Sequence, residues 1–102
     1  MTISYCQNFH NHTLSIEARC HIDGAEKTIS LTGQLARTLI ALVQAGRHGV
    51  TALEMSTWAY RLGAYVHNLR HDYGLEIETR REEHPNGWHA RYVLLTPVTD
   101  IA

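Results

Sequence analysis

The 102-residue chain has only two cysteines, Cys6 and Cys20, and neither stands in a CxxC pattern. Two cysteines are too few to define a disulfide framework, so both are read as reduced thiols. There are only two prolines, no internal repeat and no low-complexity tract, which leaves no linker at which to divide the chain. Long hydrophobic runs are missing as well. The strongest, Leu39–Val43, falls far short of the roughly 20 residues that cross a bilayer, and the N-terminus carries no basic region followed by a hydrophobic core. The reading is a cytoplasmic protein with no membrane partner. Excess charge is absent too: 9 Lys and Arg against 10 Asp and Glu give a net charge of −1. That excludes a broadly basic protein holding nucleic acid by charge alone, so any cationic surface must be local.

The residue sets of common catalytic sites are equally scarce. The sequence has no Gly-rich phosphate loop, no paired-carboxylate arrangement and no dinucleotide fingerprint. Neither cysteine falls at an expected helix N-terminus, where a thiolate would be favoured. No catalytic residue, cofactor or enzymatic activity is therefore expected. His67 and His71 stand four apart on one helical face, a spacing at which two imidazoles can share a metal. In a chain with eight histidines such a pair arises by chance, so no metal site is assigned, and Phe9-His-Asn-His12 is set aside because its framework is missing.

What is present is a chain 44% hydrophobic, long enough to bury about two-thirds of its unfolded surface in a single core. Residues 1–12 have no clear period. Thr13–Cys20 alternates Leu14, Ile16 and Ala18 against Ser15, Glu17 and Arg19, as a half-buried strand does. Asp23-Gly24 is a turn and Lys27–Leu31 a returning strand, which makes an N-terminal hairpin. Thr32 can cap a first helix over Gly33–Ala45, whose Leu35, Leu39, Leu42 and Val43 recur at helical spacing and end at Gly46. Thr51-Ala-Leu-Glu54 fits a capping box for a short second helix, and a third runs from about Trp58 to Asp72, stopped by Gly74. Leu75–Arg81 alternates, Pro85-Asn86-Gly87 turns the chain, and Trp88–Leu95 returns. Thr99–Ala102 is expected to fray as a tail.

This order of hairpin, three helices and hairpin resembles the winged helix-turn-helix domain, an α+β fold. More narrowly, Ile29–Leu39, Gly49–Glu54, Arg61–Arg70 and Tyr73–Ile77 are similar to the small helix-turn-helix family of bacteria and their phages. The likeness covers about Ile29 to Pro97 and implies a single winged-helix domain over 13–98. A looser likeness to the output domains of response regulators rests on the small sheet ahead of the first helix, and Met1–Lys27 carries no family assignment.

On the third helix, Trp58, Leu62, Tyr65, Val66, Leu69 and Tyr73 gather on the side expected to face the core. Tyr60, Gly63, Ala64, His67, Asn68 and His71 lie opposite, with Arg61 and Arg70 at the edges. The resemblance implies that this helix reads a major groove. Gly63 and Ala64 would permit close approach, Asn68 would pair with adenine, and the arginines would reach guanine or phosphate. The C-terminal hairpin, the wing of the resembled fold, would set Arg80, Arg81 and Arg91 against the backbone of double-stranded DNA. Trp88 is either a cross-strand packing residue or a contact at the wing tip.

A solvated polar face has the same composition, and the resemblance is what favours a small bacterial or phage transcriptional regulator. Arg61, Arg70, Arg80, Arg81 and Arg91 are balanced by Asp72, Glu76, Glu78, Glu82 and Glu83. That neutrality keeps a second reading open, a winged-helix module that binds a protein partner without DNA. A homodimer is compatible with either.

Overall fold

The computed structural model describes residues 2–3, 6–8, 13–52 and 61–102. The elements are β1 (Thr2–Ile3), β2 (Cys6–Asn8), β3 (Thr13–Ile22), β4 (Ala25–Thr32) and α1 (Gly33–Ala45). A 3-10 turn (Gly46–His48), β5 (Val50–Thr51), α2 (Leu62–Tyr73), β6 (Ile77–His84), β7 (Gly87–Leu94) and β8 (Val98–Ile101) follow. The architecture is mixed α+β.

The ten-residue β3 organises the first sheet. Its alternation sends Ile16, Ala18, Cys20 and Ile22 into the core, while Ser15, Glu17, Arg19 and His21 stay exposed. The hairpin with β4 is longer than expected, with paired residues running from Ile22–Ala25 to Ser15–Thr32. Asp23 and Gly24 at its tip have φ of 53° and 78°. Positive φ at both central residues is the type I′ turn, whose twist matches that of the flanking strands. Cys20 is a free, buried thiol, and burial pushes its pKa up.

The other edge of β3 is shared. Its first residues pair with β2 and Ala18–Cys20 pair with β8, on which β1 lies parallel. Thr99–Ala102, expected to fray, is therefore part of the sheet. Ile101 is 1% exposed in the core, and Glu17 and Ala102 exchange backbone hydrogen bonds of 2.7 and 2.8 Å. The fold thus takes in the C-terminus instead of ending near residue 98. A four-residue strand is too short to show a period, and only its place beside β3 reveals the apolar partner that Ile101 needs.

Helix α1 covers Gly33–Ala45 as expected and buries Ala36, Thr38, Leu39, Ile40 and Leu42. Thr32 occupies the N-cap in extended conformation, but its side chain makes no capping bond. Among the described residues there are two helices, not three. Residues 53–60, which include Glu54 of the expected capping box and Trp58–Tyr60 of the expected third helix, lie outside them. Thr51 is buried in β5, opposite Arg91 of β7. The helix expected from about Trp58 begins at Leu62, because Arg61 has φ −101° and ψ 27°, outside the helical region. Gly74 ends it in the left-handed conformation, and the amides of Gly74 and Leu75 both turn back to the Leu69 carbonyl. Leu62, Val66 and Leu69 enter the same core as Leu39 and Leu42 of α1 and Ile16 and Leu31 of the sheet.

Strands β5, β7 and β6 form a second sheet, with β7 in the middle. Its junction with the 3-10 turn depends on Gly49, which is buried at φ 73°. A Cβ there would lie 2.6 Å from the Tyr92 carbonyl oxygen and 2.8 Å from a Val93 methyl. Only glycine satisfies both the backbone angle and that approach.

Candidate nucleic-acid interface

Burying one side of α2 presents the other. Gly63, Ala64, His67 and His71 are exposed, Asn68 is half-buried, and Arg61 stands exposed just ahead of the first turn. The His67 and His71 rings lie 4.1 Å apart, centroid to centroid. Among the described residues no group of three or more His, Cys, Asp or Glu could hold a metal ion. Tyr60 falls outside the described residues.

The pairing of β6 with β7 decides which wing residues can act together. Ile77, Thr79, Arg81 and Glu83 stand opposite Leu94, Tyr92, Ala90 and Trp88 and share one face. Glu78, Arg80 and Glu82 stand opposite Val93, Arg91 and His89 and share the other. Arg80 and Arg81, taken from the sequence as one cationic patch, therefore point to opposite sides, and Arg91 goes with Arg80.

The first face fronts α2. Ile77 is buried in the core, and the Tyr92 hydroxyl lies 3.3 Å from where a Cβ on Gly63 would be. Gly63, expected to let a groove come close, is thus also the place where α2 meets β7. Arg70 bridges the two elements. Its Nε donates to the Ile77 carbonyl at 2.9 Å, and its Nη2 donates both to that oxygen and to Thr79 Oγ1, the latter at 2.6 Å. These acceptors are neutral oxygens, so the guanidinium fastens α2 to the wing while its charge remains uncompensated by them. Farther out, the Arg81 guanidinium lies 4.6 Å from the centroid of the Trp88 ring, and Trp88 is 54% exposed. That is a cation–π contact at the tip. Glu83 lies 3.4 Å from Arg81, but both side chains are so exposed that the pair is weak.

The second face backs onto the 3-10 turn and is ion-paired. Arg91 Nε donates to Glu82 at 2.9 Å, His89 Nε2 lies 2.7 Å from the same carboxylate, and an Arg91 terminal nitrogen donates to the His48 carbonyl at 3.2 Å. Arg80 pairs with Glu78. The hydrogen bonds from Arg91 and His89 hold the Glu82 carboxyl below its ordinary pKa. The His84 and His89 rings stack at 5.3 Å.

A family model for the winged helix domain matches residues 28–102. The chain belongs to the winged helix domain family. The match takes in α1, β5, α2, the β6–β7 wing and β8, and starts within β4. No curated protein and no solved structure matches the chain. Winged helix domains are DNA-binding folds of the helix-turn-helix type and are typically not enzymes. No helix of the described residues is long and apolar enough to cross a membrane.

Tyr92 and His48 of this winged helix have no reading as contributors in the sequence, and Gly49 and Glu82 enter it only as part of a family-like segment and as a balancing acid. All four hold the wing in place. The signal that could have separated Arg80 from Arg81 was available, since neighbours on a strand point to opposite faces.

Proposed function

We propose that this winged helix protein binds double-stranded DNA as a small transcriptional regulator of bacterial or phage type, with α2 in the major groove. The α2-facing side of the wing lies along the backbone. The observation that carries this reading is the continuity of one surface. The exposed Ala64, His67 and His71, the half-buried Asn68 and the bridging Arg70 of α2 sit beside a wing face bearing Arg81 and Trp88. On this reading Arg61 and Asn68 read bases, His67 and His71 line the groove, and Arg81 meets phosphate beside Trp88. Arg80 and Arg91 lie on the far side of the hairpin with their charges matched by Glu78 and Glu82. On this reading Arg91 supports the wing through Glu82 and His48, Arg80 faces away from the duplex, and Arg70 is chiefly a clamp.

The test is fluorescence anisotropy of a labelled duplex at low salt and near physiological salt, followed by selection from a randomised pool. Expected are an affinity that falls with salt, an enriched motif, and loss of preference at one motif position in Asn68→Ala. A good bidentate base contact is worth about 1–3 kcal/mol of discrimination. No binding at low salt would overturn the proposal. The ion-paired second face of the wing supports the other reading, a module for protein association, for which capture of a partner undiminished at high salt is the expected result.

A further inference from the structure

Among the described residues the first sheet ends in an open strand. β4 pairs only with β3 among the described residues, and its eight residues are all exposed except the half-buried Ile29 and the buried Leu31. Short strands blunt the other side of that sheet: β2 has three residues and β1 two. β4 has no such device along its second half. Thr28-Ile-Ser-Leu-Thr32 contains no charge, proline or glycine and is rich in β-branched residues, a sequence that templates pairing when its edge is free.

Hairpin geometry shows which backbone groups are available. In a two-residue type I′ hairpin the closing pair, Ile22 and Ala25, exchanges both its hydrogen bonds, and hydrogen-bonded pairs then alternate along the ladder. The amides and carbonyls of Ala25, Lys27, Ile29 and Leu31 are thereby directed at β3. Those of Glu26, Thr28 and Ser30 are directed away from it.

We infer that this edge is a homodimer interface, in which β4 of one copy pairs antiparallel with β4 of a second copy about a two-fold axis at Thr28. That register sets Thr28 against its own counterpart, Glu26 against Ser30, and Lys27 against Ile29. The outward-directed groups of Glu26, Thr28 and Ser30 are all paired, and no like charges face each other. Slipping the axis one residue toward the turn would oppose Lys27 to Lys27, and slipping it two would oppose Glu26 to Glu26, so the charges disfavour the registers nearer the turn. A second copy suits the edge because the strand is self-complementary about its middle, and the half-buried Ile29 is covered at the centre of the pairing.

The experiment is sedimentation of the full chain over a wide concentration series, with two single variants at exposed positions. Both are favourable within one chain: Thr28→Glu faces Arg19 and Ser30→Lys faces Glu17 across the β3–β4 ladder. Across the two-fold they differ, since the first opposes glutamate to glutamate and the second opposes lysine to Glu26 of the other copy. The wild type is expected to dimerise. Thr28→Glu should raise the dissociation constant about threefold to fivefold, while Ser30→Lys leaves it unchanged or lowers it. Thermal melts at low concentration should show both variants folded. A wild type that remains monomeric throughout, equal weakening by both substitutions, or the reverse order would overturn the inference.

Discussion

The two faces of the β6–β7 wing are made from nearly the same residue types, and they are put to different uses. On the face toward α2, Arg70 is satisfied by a carbonyl and a hydroxyl, and Arg81 lies over an exposed tryptophan with only a longer, more exposed contact to Glu83. On the face toward the 3-10 turn, Arg91 and His89 converge on Glu82, and Arg80 is joined to Glu78. An arginine bonded to neutral oxygens still projects the field of a net charge, whereas one closely paired with a carboxylate leaves mainly a dipole, whose field falls off faster with distance. Position in a strand, more than residue type, therefore decides which cations of this protein can attract a polyanion. The net charge of the segment hides the difference.

The strongest way to break that comparison is to remove the hinge on which both faces depend. Gly49→Ala puts a methyl group 2.6 Å from the Tyr92 carbonyl at a backbone angle alanine resists. A loss of about 3 kcal/mol or more is expected in denaturant unfolding, because neither the carbonyl nor the β5–β7 pairing can yield cheaply. An unfolding midpoint matching the wild type would show that the junction is looser than its contacts imply.

A smaller effect separates the faces directly. Arg81→Ala should weaken DNA binding by about 1 kcal/mol or less on every sequence and lower the salt slope by about one. Arg80→Ala should leave both almost unchanged, since its side chain is on the face turned away from α2 and closely paired with Glu78. Equal losses in paired anisotropy titrations would erase the distinction between the faces.

The smallest effect concerns acid stability. The folded-state pKa of Glu82 lies below its unfolded value, so its ionisation contributes stability above the unfolded pKa, and this is lost as pH falls through the folded one. Glu82→Gln should flatten the acid limb of stability against pH without changing its slope near neutrality. An acid limb identical in both proteins would remove Glu82 as its source. The contribution is small because the carboxylate is exposed to solvent.

Much of this arrangement can be read from residue order, because it rests on local rules. The alternation of Leu14, Ile16 and Ala18, the turn at Asp23-Gly24, helix α1 ending at Gly46 and helix α2 ending at Gly74 are each stated within a few residues. The buried stripe of Leu62, Val66 and Leu69 also follows from spacing alone. Other features depend on partners distant in sequence. Ile101 looks like part of a loose end until β3 is beside it, and Gly49 looks like any loop glycine until β7 comes within 3 Å of it. Arg70 reads as a groove contact until the Ile77 carbonyl captures its guanidinium.

By itself, the sequence determined the α+β composition, the extent of α1, the glycine stop of α2, both long hairpins and the resemblance to winged helix domains. These follow from periodicity and turn chemistry, which act over one or two turns of helix or a few residues of strand. Contacts between distant parts of the chain placed β8 between β1 and β3, set Arg80 and Arg81 on opposite faces, and bound Arg91 to Glu82. Those outcomes turn on which groups meet across the chain, and hydrogen bonds and ion pairs act only over the few ångströms that folding brings about.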